Sequence, residues 1–167
     1  MAKNIEIKAR HNDFDAFYEK LSELAHHYEG LDVQIDTFFE ARSGRIKLRE
    51  SSLHGAFLIP YKRADQAGPK KSDYALIKIE NPHEVKSLLT DILGVKKIVK
   101  KERQIYHFQN VRIHYDHVQG LGSFIELEAV VDKENELEKN EKKVHHLMEY
   151  FGIAEDDLVA GAYADML

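Results

Sequence analysis

Four short segments of this chain carry charge or polarity at every second position: Asn4-Ile5-Glu6-Ile7-Lys8, Lys47-Leu48-Arg49, Lys101-Glu102-Arg103 and Glu126-Leu127-Glu128. Residues i and i+2 of a β-strand point to the same face, so each segment would send a pair of polar or charged groups to one side. Any one of them alone reads more simply as a half-exposed strand with solvated polar residues. Their recurrence is harder to explain that way, because like charges crowded on one face repel unless a ligand or partner compensates them. Cationic pairs on some strands facing acidic pairs on others are what a polyphosphate bound with a divalent metal requires.

The elements that must position these pairs follow from the rest of the pattern. Residues 3–10 alternate and predict a strand. Asp13 is placed to cap a helix in which Phe14, Phe17, Leu21 and Leu24 share a face. Strands are expected at about 32–41, 45–51 and 55–63, with Arg42-Ser43-Gly44 as the turn between the first two. The polar stretch Ala64 to Asp73 is the best candidate for a mobile loop, and residues 74–80 are expected to be a strand. Asn81-Pro82-His83-Glu84 then predicts a capped helix start, Val85, Leu88, Leu89 and Ile92 its apolar stripe, and Gly94 its end. A long hairpin over 96–109 and 110–118, a strand over 122–132 and a charged helix near 134–150 complete a mixed architecture dominated by antiparallel strands. That last helix is expected to bury Leu137, Val144, Leu147, Met148 and Phe151.

Length and composition bound the function. A chain of 167 residues with 43% hydrophobic and 32% charged residues has the makings of one folded domain, read here as spanning 1–167. It has no cysteine, which excludes both a disulfide framework and a thiolate metal site. The formal charge of −5 argues against general nucleic-acid binding. No stretch is long enough to cross a membrane and no apolar leader precedes the first strand, so a cytoplasmic protein is expected.

Read together, the segments resemble the CYTH superfamily, the triphosphate tunnel metalloenzymes. The opening Asn4-Ile-Glu6-Ile-Lys8-Ala-Arg10 is similar to the signature Glu-x-Glu-x-Lys. Further matches follow in the family's order: Gln34-Ile-Asp36, Gly44-Arg-Ile-Lys47-Leu-Arg49-Glu50, Lys101-x-Arg103, Arg112-Ile-His-Tyr-Asp116, Gly120-Leu-Gly122-Ser-Phe-Ile-Glu126-Leu-Glu128 and Ala162-Tyr163-Ala-Asp165. The chain looks most like the short bacterial branch described as class IV adenylyl cyclase-like. The resemblance implies an α+β fold, an eight-stranded antiparallel β-barrel with helices packed outside, whose tunnel is open at both ends and lined by charge.

It also implies roles, position by position. Lys8, Lys47, Arg49, Lys101, Arg103 and Arg112 match phosphate-binding cations, Arg offering a planar fork and Lys a point charge. Lys62 is expected to match the fourth-strand cation, with Arg63 the competing choice because Pro60 disturbs the local phase. Glu6, Asp116, Glu126 and Glu128 match metal-associated carboxylates, which as hard oxygen ligands favour Mg2+ or Mn2+ over zinc. Glu6 and Lys8 are the candidate catalytic residues. Asn4 stands where the full signature has a first Glu and brings no negative charge, which weakens a second metal position at that end.

The expected substrate is a nucleoside triphosphate or inorganic triphosphate, and the leading reaction is cyclisation of ATP to cyclic AMP and pyrophosphate. Hydrolysis of inorganic, nucleoside or thiamine triphosphate would use the same cradle, and Asn4 keeps open a non-catalytic nucleotide or polyphosphate sensor. A homodimer is expected by analogy with the cyclase-like branch. His114 shares strand parity with Arg112 and Asp116; a structural or hydrogen-bonding role is expected ahead of a catalytic one. The pairs His26-His27 and His145-His146 are read as surface residues, since helical neighbours diverge by about 100°. Lys70-Lys71 is read as solvated loop, with a lid over the phosphates as the minority reading. Gln34 and Asp36 are divided evenly between substrate contact and support of the sheet, and the last residues are expected to dock on the barrel.

Overall fold

The computed structural model describes residues 1–24 and 26–167. The strands are β1 (Ala2–Arg10), β2 (His27–Phe39), β3 (Arg45–Ser51), β4 (Gly55–Arg63), β5 (Lys70–Tyr74), β6 (Ile77–Ile79), β7 (Val95–Phe108), β8 (Val111–Val118) and β9 (Gly122–Val131). The helices are α1 (Phe14–Ser22), α2 (Pro82–Leu93), α3 (Leu137–Tyr150) and the short α4 (Tyr163–Met166). Eight strands run antiparallel in the order β3-β2-β7-β8-β9-β1-β5-β4, and β4 pairs back to β3 to close a barrel. β6 adds to β4 at residues 56–58, beyond the stretch at 61–63 that β5 occupies.

Alternation sorts each strand into two faces. In β1, Ile5, Ile7 and Ala9 face outward and are buried, as are Val111, Ile113 and Tyr115 of β8 and Ile125, Leu127 and Ala129 of β9. These nine meet Phe17 and Leu21 of α1 and Val144, Leu147 and Met148 of α3 in the main apolar core. Each of the larger side chains stabilises the fold by roughly 1.5–3 kcal/mol. The opposite residues of the same strands, Asn4, Glu6, Lys8, Arg112, His114, Glu126 and Glu128, point into the barrel and line its cavity. Packing on one wall therefore fixes the position of the charged groups on its other side.

Local signals act as expected at several ends. Asp13 accepts a hydrogen bond from the Ala16 amide at 3.0 Å and starts α1. Gly44 turns β2 into β3 at φ +75°, where a Cβ would sit 2.8 Å from the Tyr61 carbonyl oxygen. Gly94 ends α2.

Other expectations are corrected. β2 starts at His27, earlier than the apolar run indicates, so His27 belongs to a strand. The end of the expected loop is β5, because Lys70, Ser72 and Tyr74 share a buried face while Lys71 and Asp73 alternate with them. Lys70 is buried in spite of its charge: its ammonium donates to the carbonyls of Gln66, Val159 and Ala160 at 2.8, 3.2 and 2.8 Å. The next strand is only β6. Residues 134–136 form a 3-10 turn ahead of α3, and Leu137 is partly buried. Asn81 caps α2 without a side-chain hydrogen bond, and no residue of α2 is buried; Leu88 and Ile92 lie exposed. Among the described residues no helix is long and apolar enough to cross a membrane.

Candidate active site

The barrel interior holds a cavity of about 520 Å³, within the range that accommodates small ligands. One end is filled by the C-terminal segment. Phe38, Val99, Val118 and Phe124 pack there against Ala162, Tyr163 and Ala164. The Tyr163 ring lies 3.8 Å from the Lys8 Nζ and 5.0 Å from the Lys101 Nζ, and its hydroxyl donates to Asp116 at 2.7 Å. The segment is tied to the wall by the Val159 amide bonding to the Lys8 carbonyl and by Asp165 pairing with Arg45. The expected tunnel thus has a floor.

The cations nearest the floor are already partnered. Asp36, buried, accepts from Arg49 through both oxygens at 2.7 Å and from Lys47 at 2.9 Å, with Lys101 3.8 Å away. Burial opposes its charge, but Arg49, Lys47 and Lys101 together hold its carboxyl well below the usual range. Arg103 donates to Asp116 at 2.7 and 2.6 Å and to Glu126 at 2.7 Å. Lys8 lies 3.2 Å from the second oxygen of Glu126. Burial, reinforced by neighbouring Arg103, lowers the Lys101 ammonium to about 7, and burial with Arg49 lowers Lys47 to about 8.

A second group lies on the wall formed by β1, β8, β9 and the end of β4. Arg63 donates to Glu6 at 2.5 Å, and Arg112 pairs with Glu128 at 2.8 Å. Burial and the facing Glu128 raise the Glu6 carboxyl despite Arg63. Glu128 sits opposite Arg112 and is held at about 2 against the effect of burial. His114, 5% exposed, places Nδ1 3.7 Å from Glu126 and 3.9 Å from Glu128. Burial and Arg103 lower its imidazole pKa, which favours the neutral, ligating form. One donor atom from each of His114, Glu126 and Glu128 lies within 4.8 Å of the others, a set able to hold a divalent metal.

This wall also holds most of the polar atoms that the protein leaves unserved. Asn4 Oδ1, Gln34 Oε1, Arg63 Nε and Nη2 and His114 Nδ1 are buried and make no hydrogen bond among the described residues. All four residues line the cavity. Buried polar groups are normally paired, so these atoms beside the cavity are places where a polar ligand or an ordered water would complete the pairing. The orphaned imidazole nitrogen, facing two carboxylates, is the specific sign that the donor set fits a metal ion.

The structure brings Glu6, Lys8, Lys47, Arg49, Arg63, Arg103, Arg112, Glu126 and Glu128 into the cavity lining. Lys101 points inward but sits behind Tyr163 and is not among the lining residues. Lys62 is a correction: it is exposed on the outer face, while Phe57, Ile59, Tyr61 and Arg63 line the cavity. Pro60 does not break the phase of β4. Asp116 faces inward, accepts hydrogen bonds from Arg103 and Tyr163 and lies outside the His114, Glu126 and Glu128 cluster. Glu6 is likewise outside that cluster and pairs with Arg63. Gln34 and Asp36 both face the cavity. Sequence reasoning missed Tyr74, whose hydroxyl accepts from Arg112 at 3.3 Å, and Glu29, which pairs with His54 and His107 at 2.7 and 2.6 Å on the cavity lining. Their strands could be read, but not which side chains meet across them.

The family model for the CYTH domain matches residues 2–163. The chain belongs to the CYTH family. A Methanocaldococcus jannaschii protein named as a candidate adenylate cyclase is 24% identical to it, over 97% of each chain. A solved structure from Pyrococcus horikoshii OT3 superposes with a TM-score of 0.87 at 22% identity, covering 98% of this chain and 99% of that one. Another, a candidate adenylate cyclase from Vibrio parahaemolyticus, gives 0.80 at 21% identity over 98% and 96%. At these identities the superpositions speak for the barrel. Within this CYTH barrel, the charge arrangement and the His114–Glu126–Glu128 cluster support a metalloenzyme acting on triphosphates.

Proposed function

We propose that this CYTH protein binds a nucleoside triphosphate with a divalent cation, Mg2+ or Mn2+, and converts ATP to cyclic AMP and pyrophosphate. The observation that carries the reading is that Lys8, Lys47, Arg49, Arg63, Arg103 and Arg112 line the same cavity as the metal-competent cluster, with Arg63 Nε and Nη2 buried beside it and without a hydrogen bond among the described residues. A phosphate chain offers the acceptors that Arg63 lacks. Arg49, Arg103 and Arg112 are held in place by resident carboxylates and add positive potential around it. His114, Glu126 and Glu128 would hold the cation, which supplies charge neutralisation on the phosphates.

In the cyclisation, a bond forms between the ribose 3′-oxygen and the α-phosphorus while the α–β bridging oxygen leaves with pyrophosphate. The hydroxyl proton must go to a base. Glu6 is suited to that task because burial and Glu128 raise its carboxyl above the usual carboxylate range, which makes it a better proton acceptor. The cations then stabilise charge on the departing pyrophosphate, the part of the reaction where preorganised electrostatics contributes most. The names of the relatives from M. jannaschii and V. parahaemolyticus agree with this reading.

A sensor is the second reading, and Asn4 favours it. Its neutral amide replaces a carboxylate on the wall where Glu6 is already engaged by Arg63.

Product analysis of the purified protein with ATP, other nucleoside triphosphates and inorganic triphosphate, each with Mg2+ or Mn2+, separates these outcomes. Cyclic AMP with pyrophosphate is expected. Orthophosphate would replace the cyclase by a triphosphatase, and tight binding without product would establish the sensor.

A further inference from the structure

We infer that His114 is itself a metal ligand through Nδ1, making a nitrogen-and-oxygen site with Glu126 and Glu128 that selects a first-row transition dication over Mg2+. The inference rests on the reading of the cavity as a metal-dependent triphosphate site and assigns that site's metal preference.

The distances argue for an ion in place of a proton. Nδ1 lies 3.7 Å from Glu126 Oε2 and 3.9 Å from Glu128 Oε1, too far for a hydrogen bond. Two donors each about 2.1 Å from one ion can lie up to about 4.2 Å apart, so the gaps suit a shared metal. Nδ1 is buried without a hydrogen-bond partner among the described residues, in a side chain only 5% exposed. Leaving an imidazole nitrogen so placed costs free energy unless a ligand serves it.

The carboxylates are prepared to complete the site. Glu128 accepts Arg112 through Oε2, which leaves Oε1 directed at His114. Glu126 Oε2 accepts from Arg103, and a second lone pair remains on that oxygen. All three donors come from the paired strands β8 and β9, with His114 directly opposite Glu126, so their spacing is fixed by a buried ladder. An imidazole suits Fe2+, Ni2+ and Zn2+ above all, and Mn2+, the weakest binder of the first-row series, is the strictest probe of nitrogen ligation, whereas Mg2+ demands near-ideal octahedral oxygen donors at short distance.

The test loads the full chain with Mn2+ or Mg2+, with and without inorganic triphosphate. It compares wild type, His114→Gln and Glu126→Gln by calorimetry, and looks for nitrogen coupling to bound Mn2+ by pulsed electron paramagnetic resonance. Wild type should show the coupling and bind Mn2+ about tenfold or more tightly than Mg2+. His114→Gln should abolish the coupling and weaken Mn2+ by about tenfold or more, with a much smaller change for Mg2+. Mn2+ bound to wild type without nitrogen coupling overturns the imidazole ligand even if a variant fails to fold. If Glu126→Gln alone loses Mn2+, the carboxylate site stands and the inference about His114 falls. If wild type binds no Mn2+ under either condition, both fall.

Discussion

The two ends of the barrel interior treat charge differently. Near the floor, Asp36 gathers Arg49 and Lys47, Asp116 takes Arg103, and Tyr163 covers Lys8 and Lys101, so most of the charge has an internal partner. Along the wall of Asn4, Arg63 and His114, the buried Asn4 Oδ1, Arg63 Nε and Nη2 and His114 Nδ1 make no hydrogen bond among the described residues. Interior charge thus serves two purposes. The floor is a prepaired scaffold that fixes cation positions and sets the local potential, while the wall is incomplete until a ligand arrives. Paired buried ions are a costly way to gain stability but an effective way to hold geometry.

The largest expected effect comes from breaking the scaffold. Arg103→Ala leaves Asp116, which has no exposed surface, and Glu126 without their shared guanidinium. Removing one partner of a buried pair costs about 3–5 kcal/mol, read from chemical denaturation midpoints. A change near zero would mean that the floor pairs do not order the barrel. Arg63→Ala should act on binding instead. The loss of charge-assisted contacts worth about 1.5–3 kcal/mol weakens triphosphate affinity roughly tenfold to hundredfold. Stability should change less, because Glu6 has a raised carboxyl pKa and can take up a proton. Unchanged affinity would erase the distinction between wall and floor.

A smaller effect sharpens the contrast through pH. Lys101 is lowered to about 7 and Lys47 to about 8 from an ordinary 10.5, chiefly by burial and then by Arg103 and Arg49 respectively. Above pH 7 to 8 the interior therefore loses positive charge, and triphosphate affinity should fall. Binding near pH 7.5 should take up protons, seen as a dependence of binding heat on the ionisation enthalpy of the buffer. For stability the sign is opposite. Between these lowered values and 10.5 the unfolded chain binds more protons than the folded one, so this contribution destabilises fully below about 7 and fades as pH rises. The smallest effect belongs to Lys62→Ala on the outer face, with stability within about 0.5 kcal/mol and triphosphate affinity unchanged.

The legible part of this molecule was parity. Alternation in β1, β8 and β9 placed the inward cations and carboxylates, because apolar residues on the other face had to meet the helices; in β3 and β7 the inward face was marked only by the paired cations themselves. Parity could not tell Asp116 from Glu128. Both face inward, and only the contacts across the strands show that Glu128 lies beside His114 while Asp116 lies beside Arg103 and Tyr163. β5 was hidden because Gly68-Pro69-Lys70-Lys71 has the composition of a loop, and the three carbonyls that satisfy Lys70 include two from the distant C-terminal segment. The choice between Lys62 and Arg63 failed on the weight given to Pro60, which β4 accommodates without a bulge opposite Ile46 of β3. His114 was placed on the correct face, but its importance lies in distances to Glu126 and Glu128 that no single strand reveals.

The most direct test of the account is a crystal structure of the protein with inorganic triphosphate and Mn2+. The account predicts phosphate oxygens within hydrogen-bonding distance of Arg63 Nε and Nη2, and the ion held between His114 Nδ1, Glu126 and Glu128. Triphosphate bound elsewhere, with Arg63 and His114 still unpartnered, would contradict it.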